Sequence, residues 1–143
     1  MRDRLGITAR ALKRFGHSTG RLDARLYDDS WEIKAFSSDA RVLFDVGQHF
    51  QVGPHLRYYV QSAANFWRLA YVGSATSVPA YRAGDRELGP LMNLTAGGSA
   101  RWALNETWAL GATFDGTYAH YFADLYITRM WSGLETITVE ATW

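Results

Sequence analysis

The side chains that could do chemistry in this 143-residue chain are few and scattered. His17, His49, His55 and His120 show no metal-ligand spacing, and His17 and His49 fall in turn-like stretches, so no metal site is expected. The count of cysteines is 0, which removes disulfides, thiolate metal sites and cysteine nucleophiles. Hydrolysis would need a Ser or Asp beside a His, and spacing suggests no base for Ser62 or Ser99. No catalytic residue, enzymatic activity or cofactor is therefore expected. Gly97-Gly98 precedes no helix, so it reads as relief of crowding in a strand and not as a phosphate loop. The adjacent carboxylates Asp28-Asp29 could hold a cation, but without a glycine-bearing metal loop they read first as a solvated turn.

The elements that carry these residues have a period of two. Ile137, Val139, Ala141 and Trp143 alternate with Thr136, Thr138, Glu140 and Thr142. The same alternation runs through Trp108–Tyr118, Met92–Trp102, Phe50–Gln61, Phe36–Val46 (with Leu43 out of step) and Arg21–Tyr27. It is weakest in Leu5–Phe15, where Lys13 breaks phase. About seven strands result, and no 3.6-residue period competes over a comparable length. Gly16–Gly20, Gly47–His49 and Asn105–Thr107 are short turns, whereas Ser62–Glu87 and about Tyr121–Gly133 are long connections. The link Asp28-Asp29-Ser30 is brief but falls on the long-loop side.

Composition narrows the setting. Hydrophobic residues make up 48% and aromatics 15%, with 6 Trp, 8 Tyr and 7 Phe, yet the mean hydropathy is only -0.21. An apolar residue at every second position of a membrane barrel reconciles these values. No run approaches the ~18 apolar residues of a membrane helix. Lys+Arg 15 against Asp+Glu 14 leaves a net charge of +1, so no nucleic-acid partner is expected. Phe15, Phe44, Phe50, Trp102, Trp108 and Trp143 flank the short turns or the chain end and would form one interfacial girdle. Trp31, Phe36, Tyr58 and Trp67 lie towards the opposite ends and would form a second. The opposite face, with Arg10, Arg21, Asp23, Arg25, Asp39, Arg41, Asp45, His55, Arg57, Asp115 and Glu140 among others, reads as a lumen paired across strands. A charged constriction that selects a solute is the sharper alternative. Met1-Arg2-Asp3-Arg4-Leu5 has no apolar signal segment, so a barrel would require further chain upstream or a late start.

Two segments resemble the bacterial domain-of-unknown-function family 3570. Arg57-Tyr58-Tyr59-Val60-Gln61-Ser62-Ala63-Ala64-Asn65-Phe66-Trp67 is similar to its R-Y-Y-x-Q-S-A-A-x-F-Y signature, with Trp67 for the usual Tyr. Leu26-Tyr27-Asp28-Asp29-Ser30-Trp31-Glu32-Ile33 is similar to its Y-x-D-D-W-x-I stretch, with Ser30 inserted. Tyr81–Leu88 matches a D-x-R-L segment more loosely. The resemblance implies an outer-membrane barrel of unknown function, of which this chain is the C-terminal part. It also hints at envelope redox work beside a lipoprotein, with a flavin transferase encoded nearby. The ending Thr136–Trp143 resembles the terminal strand that the outer-membrane assembly machinery reads, with Trp143 as the signal.

The expectation is thus an all-β, antiparallel up-and-down transmembrane β-barrel segment of about seven or eight strands, a single unit over residues 1–143. Its partners would be the lipid bilayer, the assembly machinery and an envelope lipoprotein; its place, the bacterial outer membrane. It would act as a channel or envelope structural component. Tyr27, Asp28, Asp29, Arg57, Tyr59, Gln61, Asp85 and Arg86 would gather at the lumen mouth, with an Arg57–Asp85 contact holding the long loop inward. That cluster serves either to pin the loop or to form a ligand-binding rim. A soluble lipocalin-like barrel, apolar inside and binding a small apolar ligand, is the alternative.

Overall fold

A computed structural model describes residues 2–71, 73 and 80–142. Seven strands follow one another in space as in sequence: β1 (Arg4–Phe15), β2 (Ser18–Asp29), β3 (Lys34–Val46), β4 (Phe50–Gln61), β5 (Leu91–Ala103), β6 (Trp108–Tyr121) and β7 (Arg129–Ala141). Every neighbouring pair is antiparallel. The sheet is an open meander, with β1 and β7 as unpaired edges among the described residues. Among the described residues of the long connection between β4 and β5, Arg86–Leu88 form a 3₁₀ turn.

The turns follow from local chemistry. Gly16 and Gly47 take φ of +56° and +68°, left-handed values that cost glycine nothing and that tight hairpin turns require. At Leu104–Thr107 the Asn105 side chain accepts from the backbone N–H of Thr107 and Trp108, at 2.9 and 2.8 Å. The first turn is tighter than expected: only Gly16-His17 lies outside the ladder, and Ser18, Thr19 and Gly20 belong to β2.

Register carries the alternating pattern across all seven strands. Val52, Leu94, Leu110 and Val139 share one face, and Arg57, Thr95, Thr113 and Glu140 share the other. Leu43 is accommodated on the polar face because its side chain lies over Gly53. A side-chain carbon at Gly53 would meet the Leu43 Cδ2 at 2.5 Å. Beside it, Pro54 has no N–H to give the ladder, and the β3–β4 pairing skips this step.

The last strand begins earlier than the alternation suggests, at Arg129 instead of near Thr136, leaving a loop of only Phe122–Thr128. The pattern was broken by Glu135 and Gly133 on the apolar face and Leu134 on the polar one, opposite Phe114, Gly116 and Asp115 respectively. Seven cross-strand pairs, from Arg129 to Glu135, therefore lie in a stretch whose side chains look like loop.

Shelter differs between the faces in an unusual sense. On the inner strands the apolar face is open, with Leu26 59%, Leu56 51% and Phe114 56% exposed. The side chains of His55 and Asp23 on the polar face are only 10% and 18% exposed. The clusters of buried apolar residues lie at the long-loop end, around Ile33, Ala64 and Trp67 and around Leu91, Ala119 and Tyr121.

Candidate functional site

The polar face is organised as a charge ladder. Arg10 and Arg21 both bind Asp23, at 2.5 and 2.6 Å, and Arg14 binds Asp45 at 2.6 Å. Arg101 binds Glu140 at 2.8 Å, His55 approaches Asp115 at 3.2 Å, and Arg41 stands 3.8 Å from Asp39. Arg2 binds Asp29. Each carboxylate that the strands place on this face thus lies beside a basic side chain. The arginines outnumber the acids, and Arg4, Arg25 and Arg57 hold no carboxylate among the described residues.

At the long-loop end the polar face is capped. Asp29, at the end of β2, is buried. One oxygen accepts from the Trp31 and Ile33 N–H groups at 2.9 and 3.1 Å. The other takes the Tyr27 hydroxyl at 2.8 Å and the Arg2 guanidinium. This brace holds a four-residue turn in which Glu32 adopts φ +63°, a conformation that side chains other than glycine rarely take. The long loop then locks onto the turn. Asn65 N–H donates to Trp31 O at 2.8 Å, and the Phe66 ring meets Trp31 edge-on at 5.1 Å. Lys34 N–H donates to the Ser62 hydroxyl at 2.9 Å. Ala64 is 1% exposed, and its N–H donates to Leu88 O at 2.9 Å.

Trp67 lies buried across Gly89, where a side chain would collide with its ring at 2.8 Å, and its indole N–H donates to Asp85 O at 2.8 Å. Gln61, the last residue of β4, donates to the carbonyls of Glu87 and Gly89 at 2.8 and 2.9 Å while accepting from the Tyr59 hydroxyl. The Arg86 guanidinium sits 5.2 Å from the centre of the Tyr121 ring.

These contacts sort the expected mouth residues. Tyr27, Asp29, Arg57, Tyr59 and Gln61 share the polar face at this end. Arg86 reaches it from the loop, over the Tyr121 ring, whereas the contacts of Asp85 are with Trp67, Glu87 and Leu88 of the loop itself. Asp28 does not: it lies on the apolar face, opposite Leu5 and Lys34, so Asp28 and Asp29 point apart and cannot share a cation. The expected Arg57–Asp85 contact is absent among the described residues. Asp85 is occupied in capping the 3₁₀ turn through the Glu87 N–H at 3.0 Å, and Gln61 ties down the loop instead. Trp67 leaves the expected second girdle, because it is buried in the cap. On the open face Tyr58, Leu94, Tyr118 and Trp131 form one cross-strand row, and the last two rings stand 4.8 Å apart. The first girdle is gathered as expected: Phe15, Phe44, Phe50, Trp102 and Trp108 share the open face at the turn end. Trp143 lies outside the described residues.

Sequence reasoning did not single out Arg25 or Ser37 as mouth residues. Register would have found them, since Arg25, Ser37 and Tyr59 lie directly across from one another on β2, β3 and β4. With Tyr27 and Arg57 they line a cavity of about 240 Å³.

Among curated proteins and among solved structures, nothing matches the chain. A family model, described as a protein of unknown function (DUF3570), matches residues 2–129 and so spans all three segments that build the cap. The chain belongs to this family of proteins of unknown function.

Proposed function

We propose that this chain is a section of an outer-membrane β-barrel whose apolar face meets lipid and whose polar face lines the lumen, with the Ser62–Pro90 loop folded over the outer mouth. The role that fits is a partly occluded channel or an envelope structural component, not a catalyst. The observation that carries this reading is the division of the faces: exposed leucines and phenylalanines on one, ion pairs on the other, with Asp23 and His55 sheltered among them. In water that arrangement would leave the larger apolar surface wet, which soluble monomers avoid. In a bilayer it is the expected distribution.

The aromatic rows support the same reading. From Phe50 to Tyr58, or from Trp108 to Tyr118, is eight to ten residues. At ~3.3 Å per residue and a tilt of about 40°, this is roughly 20–25 Å of height, close to the ~25 Å apolar band of such barrels. The short turns would face the periplasm. Bacterial single-chain barrels have even strand numbers, and two unpaired edges cannot persist in hydrocarbon. In this reading further strands close the sheet against β1 and β7.

The lipocalin alternative puts the apolar face inward, and the open leucines speak against it. Fractionation tests the choice. The full-length protein should sediment with outer membranes, require detergent for extraction, and migrate faster on gels unheated than boiled. Recovery as a detergent-free soluble protein would contradict the proposal and favour the lipocalin-like reading.

A further inference from the structure

We infer that the cavity between β2, β3 and β4 at the capped end is an oxyanion-binding site, held by Arg25 and Arg57. Three observations carry this. First, the carboxylates of the polar face are already taken by other cations, so these two guanidinium groups have no protein acceptor among the described residues. Both side chains are exposed on the open sheet, and a planar fork of donors that holds no carboxylate matches a polyatomic oxyanion bidentately. Second, the two lie on adjacent rungs of one face and line a single cavity of about 240 Å³, room for a small polyatomic anion. Third, the walls are preset. The Tyr27 hydroxyl is committed to Asp29 and the Tyr59 hydroxyl to Gln61, so both rings are held while the Ser37 hydroxyl stays available as a donor.

The opposing charges on the next rung are Asp39, directly across from Arg57 with Arg41 at 3.8 Å, and Asp23, held by Arg10 and Arg21. They disfavour an anion deep in the lumen and leave the side towards the cap, where Tyr27 and Tyr59 line the cavity, as the favoured seat. The ligand chemistry is a phosphate, sulfate or carboxylate group, on a free solute or on a lipid headgroup. This inference rests on the lumen reading above, which places the cavity at the mouth of the barrel.

The test is calorimetric titration of the detergent-solubilised full-length protein with inorganic phosphate at low ionic strength, against chloride at matched ionic strength. Arg25→Gln and Arg57→Gln should each weaken phosphate binding by about tenfold or more. Arg101→Gln, which breaks the Glu140 pair at the far end, should leave it unchanged. A parallel titration with dihexanoyl phosphatidic acid assigns the source: tighter binding than phosphate points to a headgroup, equal or weaker binding to a free solute. No phosphate-specific heat in the parent protein, or equal loss in all three variants, would overturn the site. Heat-modifiable gel mobility, read on the same samples, separates the two claims. A variant that keeps the barrel signature but loses phosphate supports the site. A parent protein that shows the signature without binding phosphate sinks the site alone, and a soluble protein that binds phosphate sinks only the barrel.

Discussion

Gly97 and Gly98 are neighbours with opposite demands. A Cβ at Gly97 would collide with the Asp115 carboxylate and come within 2.5 Å of the Phe114 carbonyl, whereas one at Gly98 meets nothing nearer than 3.7 Å. Gly97→Ala should therefore destabilise by about 1–3 kcal/mol, and Gly98→Ala should be neutral or slightly stabilising. Paired urea or thermal unfolding curves check the contrast. Relief of crowding was legible from sequence as a property of the pair; which glycine needs it depends on the face, and hence on register. Gln61 makes the same point for the cap. Its place on the polar strand face was readable, but its two carbonyl partners lie 26 and 28 residues away, beyond any local pattern. Gln61→Ala should cost about 1–2 kcal/mol of loop anchoring. The readouts are faster proteolysis within Ser62–Pro90 and noisier bilayer conductance than the parent, with an unchanged trace counting against the anchor.

Strand by strand, alternation identified seven elements because each one keeps its two faces chemically distinct. It faltered where the faces mix: at Lys13, which stands on the apolar face 5.1 Å from the Phe15 ring, and along Met130–Glu135. Both lie on edge strands, where only one neighbour constrains the register, whereas Leu43, out of step on the inner strand β3, is accommodated by Gly53. Arg substituted for Leu94 or Leu110, in the middle of the proposed lipid face, should cost about 2–4 kcal/mol in reversible folding into bilayers, and Arg substituted for Thr95 or Thr113 much less. The Phe122–Thr128 loop responds to acid. Asp124 accepts from the Ile127 and Tyr126 N–H groups at 2.8 Å each, which hold its carboxyl below the ordinary value of 3.8. A depressed carboxyl stabilises the folded loop fully above the unfolded value and loses that contribution as pH falls through the folded one. Protection of the Tyr126 and Ile127 amides should therefore drop below about pH 3.8, and Asp124→Asn should flatten that dependence.

At the scale of the whole molecule, the three sequence segments that marked the family converge in space. The Arg57–Trp67 stretch, the Leu26–Ile33 turn and Tyr81–Leu88 meet in one cap whose core is Ile33, Ala64 and Trp67, with Leu88 packed against it. Their convergence could not be read along the chain, since it depends on the turn after β2 and the loop after β4 emerging at the same end of the sheet. The central claim concerns sidedness, and the chain offers a clean way to measure it, because its cysteine count is 0. Single cysteines at Leu94, Leu110 and Val139, and at Thr95, Thr113 and Glu140, can be nitroxide-labelled in the full-length protein reconstituted in lipid vesicles. Oxygen, which concentrates in hydrocarbon, should relax the first three, and a water-soluble nickel chelate the second three. The reverse pattern, or nickel access at all six positions, would contradict the account.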